Sequence, residues 1–129
     1  MDDDVTDRTT VRARLRNALP AAMKDRDMTA VAALRSTLGA IDNAEAVDAA
    51  QAPAVGIGDA EIANSMVGLG AGDVVRRVLT ENQIAGIVRA EIADRRTAAA
   101  DYERAGVHDR AERLRSEAGV LAAHLPDGA

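Results

Sequence analysis

The sequence contains no cysteine, phenylalanine or tryptophan, and Tyr102 is its only aromatic residue. Without cysteine there are no disulfide bonds and no thiolate metal ligands, which fits a cytoplasmic protein. Without large aromatic side chains, the core must be filled by Val, Leu, Ile, Met and many Ala residues. Because alanine is small, such a core allows helices to pack closely.

Long hydrophobic runs are also missing. No run approaches the roughly 18 apolar residues that a membrane-spanning helix needs, and the first four residues, Met1-Asp2-Asp3-Asp4, are the opposite of the basic start of a signal peptide. We therefore expect a soluble cytoplasmic protein with no membrane partner. At 129 residues, the chain fits a single domain, 1–129, that buries about two-thirds of the surface of its unfolded chain.

Lysine is almost absent, since Lys24 is the only one, and the net charge is −5. An acidic balance argues against a general nucleic-acid binder. The preference for arginine is first explained by a GC-rich genome, and a functional need for guanidinium groups is the alternative.

The region from Thr80 to Pro126 has the pattern of a helical hairpin. Thr80 and Gln83 form a capping box at a helix start, and Leu79 and Ile84 fit a hydrophobic staple. Apolar residues then recur at helical spacing, and Gly106 is suited to a left-handed C-cap. The second helix is predicted from His108 or Asp109 to Leu125, before Pro126. Its a/d residues are Val107, Ala111, Leu114, Ala118, Leu121 and Leu125.

The first part of the chain, 1–51, predicts another helical hairpin. Its first apolar stripe contains Val11, Leu15, Ala18, Leu19, Ala22 and Met23. Pro20 is expected to kink this helix or to divide it in two. Asp27 follows a polar turn and is expected to cap a second helix, which carries Val31, Leu34, Leu38 and Ile41 and fades by Ala50–Pro53.

Residues 52–79 are rich in glycine and are interpreted as an insertion or linker. A short helix is predicted around Asp59–Val67, and Asp73–Leu79 is compatible with an extended segment. Because helical periods dominate, we predict an all-α fold, a helical bundle of two helical hairpins (1–51 and 80–126) joined by this Gly-rich connection.

Residues of both hairpins match one family pattern in order and spacing, from about Val11 to Pro126. They are Ala22-Met23-Lys24, Asp27, Leu34-Arg35, Ile41, Arg95, Ala98, Tyr102, Ala105-Gly106, Asp109, Glu117, Leu121 and Leu125-Pro126. On these residues the chain resembles the bacterial YqeY-like proteins, or GatB/YqeY domain family. Lys24, Asp27, Arg35, Tyr102, Gly106, Glu117, Leu125 and Pro126 are the structural positions that the resemblance implies.

The resemblance implies an accessory role. The related region is the C-terminal part of the B subunit of the tRNA-dependent amidotransferase, whose family association is carbon–nitrogen ligase activity with glutamine as amido-N-donor. There it helps to contact tRNA. This chain departs from the family pattern in three ways: the usual C-terminal subdomain does not follow Pro126, His124 replaces a common aromatic residue, and Val107 replaces a common basic one. These departures weaken the inference, drawn from the family, that this chain binds RNA.

The arginines allow two readings each. Arg89, Arg95, Arg96 and Arg104 are candidates for RNA or partner contact, although Glu91 and Arg95 have the spacing of a favourable helical ion pair. Arg8, Arg12 and Arg16 form a row that could meet phosphates, although a solvated face or pairing with acids on another helix is favoured. For Arg35, a structural ion pair with a carboxylate of the second hairpin is favoured over an RNA contact. For Tyr102, core packing is favoured over stacking on a base.

No catalytic constellation is recognisable. His108 and His124 lack the spacing of zinc ligands, Ser65 lacks nucleophile-elbow glycines, and Gly68, Gly70 and Gly72 lack the Lys-Ser/Thr of a phosphate loop. We expect no cofactor and no metal. The predicted function is a non-enzymatic interaction module that binds tRNA or a translation or amidotransferase partner. The alternative is a protein-interaction or stress-associated module with no RNA role.

Overall fold

The computed structural model describes residues 10–56 and 78–126, with side chains up to residue 46 in the first range. These residues form four α-helices and no strands: α1 (Val11–Lys24), α2 (Met28–Gly56), α3 (Glu81–Arg104) and α4 (His108–Ala122). The all-α prediction is confirmed for this part of the chain. Residues 57–77 of the Gly-rich connection lie outside the described residues, with the helix predicted around Asp59–Val67 and Ser65, and so does Arg8.

The chain divides into two compact units. One unit comprises residues 1–40 and 80–129, and the other comprises residues 41–79. The first unit contains α1, the start of α2, α3 and α4, which pack as two helical pairs in a bundle. The predicted pairing of α1 with α2 and of α3 with α4 is therefore confirmed. The second unit contains the remainder of α2, including the buried residues Ile41 and Glu45.

Two helices of the bundle begin at threonine caps. At α3, the Thr80 hydroxyl accepts the Gln83 amide, and the Gln83 side chain accepts the Thr80 amide, so the predicted capping box is confirmed. At α1, the Thr10 hydroxyl accepts the Ala13 amide. The Val11 amide donates to Oε2 of Glu81 over 2.8 Å, so the first turn of α3 satisfies a free amide of α1.

Both helical hairpins turn through the same backbone motif. After α3, Gly106 has φ = +83°, and the Val107 amide donates to the Tyr102 carbonyl, as in a Schellman motif. The predicted left-handed glycine is therefore confirmed. After α1, Arg26 has φ = +56° and the Asp27 amide donates to the Ala22 carbonyl in the same pattern. The sequence did not reveal this second left-handed position, because arginine carries no signal for it.

The aliphatic core of the bundle follows the predicted helical stripes. Its members within the first unit are Val11, Leu15, Ala22, Ala30, Val31, Ala33, Leu34, Ile84, Ala85, Val88, Ile92, Ala99, Ala111, Ala118 and Leu121. Each fully buried leucine contributes about 1.5–3 kcal/mol. Some predicted core positions differ. Met23 and Val107 are 48% and 44% exposed, and five others are only half-buried: Ala18, Leu19, Leu38, Leu114 and Leu125.

The helix ends differ from the predictions at three places. Pro20 does not divide α1, which continues to Lys24 because Leu15 and Ala22 anchor it on both sides of the proline. Helix α2 continues past Pro53 to Gly56. The alanine-rich sequence before Pro53 favours this helical continuation.

Helix α4 stops at Ala122, three residues before the predicted end. The amides of His124 and Leu125 then bond three residues back, to Leu121 and Ala122, in tighter turns. A proline disfavours helical conformation at the residue before it, so Pro126 accounts for this early end. Within the described ranges, no helix is long and apolar enough to cross a membrane.

Candidate functional site

Arg95 is the centre of a charged cluster that joins three helices. Its Nε donates to Glu117 Oε1 of α4 over 2.8 Å, and its Nη1 donates to Glu91 Oε1 of α3 over 2.8 Å. Its Nη2 donates to the Ser36 hydroxyl of α2 over 3.2 Å. All three guanidinium nitrogens therefore have partners inside the bundle, and the predicted Glu91–Arg95 ion pair is confirmed.

The Arg95 cluster is largely shielded from water. The side chain of Arg95 is 11% exposed, that of Glu117 13% and that of Glu91 24%. Burial lowers the pKa of Arg95, but the hydrogen bonds with Glu91 and then Glu117 outweigh this effect, so the pKa is raised overall. Arg95 therefore stays charged and holds two carboxylates together. This arrangement suits a structural clamp.

Arg35 lacks the carboxylate partner that we expected. It is exposed on α2, and its Nη2 lies 3.8 Å from the Met23 sulfur of α1. Within the described ranges, Arg35 forms no ion pair with a carboxylate of the second hairpin. Arg95 instead reaches from the second hairpin to Ser36, the residue next to Arg35.

The other arginines of α3 fall into two groups. Arg104 pairs with Asp101 three residues earlier, on an exposed part of the helix. Arg89 and Arg96 are exposed, and no carboxylate in the described residues forms an ion pair with either of them. They are seven residues apart, so they share one face of α3 at a separation of about 10 Å along its axis.

The α3–α4 turn carries a second set of charge contacts. Glu103 accepts hydrogen bonds from Arg115 and pairs with His108, and these partners, Arg115 first, lower the pKa of Glu103. Tyr102 is half-buried, and the Arg110 guanidinium lies 5.2 Å from its ring centre. The guanidinium covers one face of the ring. This contact fits a packing role of Tyr102 better than stacking on a nucleic-acid base.

The remaining family positions lie at helix ends. Lys24 is exposed in the last turn of α1, and Asp27 caps α2 by accepting the Ala30 amide over 3.1 Å, as predicted. Leu125 and Pro126 follow α4, half-buried and exposed respectively. These residues shape the turns of the bundle.

His124 lies beside α1. The Arg14 side chain donates to the His124 carbonyl over 3.4 Å. Burial, and next the charge of Arg14, lower the pKa of His124, so its neutral form is favoured. In the parts of the chain that the structure describes, no three His, Asp or Glu side chains come together as metal ligands.

An exposed apolar surface lies at the α1–α2 turn. Met23 and Met28, on either side of that turn, are 48% and 66% exposed. The helical spacing of Met23 predicts a core position, and this prediction is wrong. The spacing does not show on which side of α1 the partner helices pack.

No protein-family profile, curated protein or solved structure matches this chain. The resemblance to the GatB/YqeY family therefore stays a prediction.

Proposed function

We propose that this chain is a non-catalytic helical module of the GatB/YqeY type that binds tRNA in the cytoplasm through Arg89 and Arg96. Its role in this proposal is accessory to glutamine-dependent amide transfer on tRNA. The proposal attributes no amide-transfer chemistry to the chain itself, because that chemistry needs ATP and glutamine machinery that the sequence does not contain.

One observation supports this assignment above the others. Of the four arginines considered for RNA contact, Arg95 is saturated inside the bundle and Arg104 pairs with Asp101, whereas Arg89 and Arg96 are exposed without an ion-pair partner among the described residues. Guanidinium groups without carboxylate partners are available to hydrogen-bond phosphate oxygens. Two of them on one helix face can contact two phosphates of one backbone.

The test is tRNA binding as a function of salt. Phosphate contacts make the logarithm of affinity fall linearly with the logarithm of salt concentration, by about one unit of slope per contact. Binding of labelled tRNA is measured by fluorescence anisotropy between about 50 and 200 mM salt. We expect the double variant R89A/R96A to bind more weakly and to lose about two units of slope.

Arg113 provides the matched control. It is exposed on α4 and makes no ion pair among the described residues, so R113A removes the same charge from another face. The proposal requires R113A to retain the salt dependence of the original protein, that is, the slope of the logarithm of tRNA affinity against the logarithm of salt concentration. Equal loss in R113A and in the single variant R96A would mean that only net charge matters, and absence of salt-sensitive binding at low salt would exclude RNA.

The second candidate function is a protein-interaction module with no RNA role. It is favoured by the exposed methionines Met23 and Met28, which have no function in phosphate binding. In that case tRNA binding is absent, and partner binding responds to substitutions at the methionines instead of those at Arg89 and Arg96.

A further inference from the structure

The α1–α2 turn carries an apolar surface next to an arginine without a carboxylate partner. We define the methionine surface as Met23, Met28 and Arg35. Met23 and Met28 are two of the four large hydrophobic side chains exposed in the described ranges. Arg35 lies seven residues after Met28, so the two share a face of α2, and its guanidinium contacts the Met23 sulfur.

The chemistry of this surface defines its partner. Methionine is flexible and polarisable, and exposed methionines suit surfaces that accommodate apolar side chains of another protein. The planar guanidinium of Arg35 suits bidentate binding of a carboxylate. We propose that the methionine surface binds an acidic amphipathic helix of another protein, which lays apolar residues on Met23 and Met28 and a carboxylate on Arg35.

The local charge supports an acidic partner. The exposed charges of the turn itself balance, because Lys24 and Arg26 are matched by Asp25 and Asp27, so Arg35 leaves the methionine surface with one net positive charge. The Asp27 carboxylate is already engaged by the Ala30 amide as the cap of α2. Arg35 has no such compensation, because its one side-chain contact among the described residues is with a neutral sulfur.

Two other occupants fit less well. In a symmetric contact between two copies, each copy presents the same patch, so the two Arg35 charges would approach each other. A nucleic acid would gain a phosphate contact with Arg35 but would cover two thioethers that offer a phosphate nothing. The unpaired arginines Arg89 and Arg96 of α3 provide a better place for it.

Methyl NMR provides a direct test in the full chain. The chain has four methionines, and M23L and M28L assign the two signals of the surface. The probe is a synthetic helix with leucine at positions i, i+3, i+4 and i+7 and flanking glutamates. The control peptide has lysine in place of every glutamate. We expect the glutamate peptide to shift the Met23 and Met28 signals, and the lysine peptide to bind at least about tenfold more weakly.

Charge reversal at Arg35 sharpens the test. R35E should reverse the preference, so that the lysine peptide becomes the tighter ligand. R113E, which reverses the charge of an exposed arginine on α4, should leave the affinity for the glutamate peptide unchanged. The double variant M23Q/M28Q should weaken the binding of both peptides equally. Circular dichroism verifies that each variant is folded.

The outcomes separate this site from the proposed RNA site. The double variant R89A/R96A should keep its affinity for the glutamate peptide, and R35E should keep its affinity for tRNA. The inference is overturned if neither peptide shifts the two methionine signals, or if R35E and R113E behave alike. It is also overturned if tRNA shifts those signals, or if they shift with protein concentration because two copies associate.

Discussion

Replacing Arg95 tests whether one guanidinium clamps the bundle. The substitution R95M keeps the length of the side chain but removes hydrogen bonds to Glu91, Glu117 and Ser36. It leaves two carboxylates close together in a largely shielded place. Breaking a buried pair by removing one partner costs about 3–5 kcal/mol, whereas an exposed pair is worth at most about 1 kcal/mol.

The exposure of the three side chains decides between these limits. Arg95 and Glu117 are 11% and 13% exposed, but Glu91 retains 24% and can turn one oxygen to water. We therefore expect R95M to lower the free energy of unfolding by about 3 kcal/mol, the lower end of the buried range. E117Q should cost about 1 kcal/mol, because Glu91 still neutralises the guanidinium.

A double-mutant cycle isolates the Arg95–Glu117 interaction. In R95M/E117Q, no uncompensated charge remains at position 117, so the loss should be smaller than the sum of the single losses by about 1 kcal/mol. The assay is urea unfolding at neutral pH, with the slope compared among variants. R96M, at the adjacent exposed position, is the control and should change stability by less than about 0.5 kcal/mol. Equal effects of R95M and R96M, or strict additivity in the cycle, would refute the clamp.

Burial, backbone conformation and pH each give a further prediction. Thr37 is fully buried, and its hydroxyl has no hydrogen-bond partner among the described residues. T37V should therefore raise the free energy of unfolding by about 1 kcal/mol, and T37S should lower it. A less stable T37V would mean that the hydroxyl is hydrogen-bonded in solution. R26G relieves the backbone strain of a left-handed arginine and should raise the urea midpoint of unfolding. G106A, at the equivalent position of the other turn, should lower the free energy of unfolding by about 1 kcal/mol. This cost comes from the backbone, because the added methyl group meets no neighbouring atom. Because the folded state lowers the pKa of His124, the unfolded state takes up a proton first as the pH falls through about 6.5. Stability should therefore decrease from pH 7.5 to 5.5, and H124Q should show a smaller decrease; an identical pH profile in H124Q would contradict the assignment.

Local signals in the sequence predicted the parts of the fold that depend on neighbouring residues. The capping box at Thr80 and the left-handed Gly106 both follow from short-range hydrogen bonding and backbone sterics, and both were confirmed. Positions set by tertiary packing were less predictable. Pro20 remains within a helix because buried residues on both sides hold it, and Met23 has core spacing but is 48% exposed.

The same distinction applies to the candidate site. The spacing of Glu91 and Arg95 predicted their ion pair, because four residues bring side chains together on one helix. The contacts of Arg95 with Glu117 and Ser36 depend on how α2 and α4 pack against α3, which no local pattern encodes. The sequence does not show which arginines of α1, α2 and α3 have partners. It therefore could not separate Arg95, whose guanidinium nitrogens all have hydrogen-bond partners, from Arg89 and Arg96, which are available for binding.

The hydrogen bond between the Val11 amide and Glu81 joins positions 70 residues apart in the chain. Losing a helix cap costs about 1 kcal/mol. The first turn of α1 therefore depends on a carboxylate of α3, although the whole of α2 separates the two residues along the chain. A substitution that removes the acidic side chain at residue 81 acts at a distant point of the sequence, because it weakens the start of another helix.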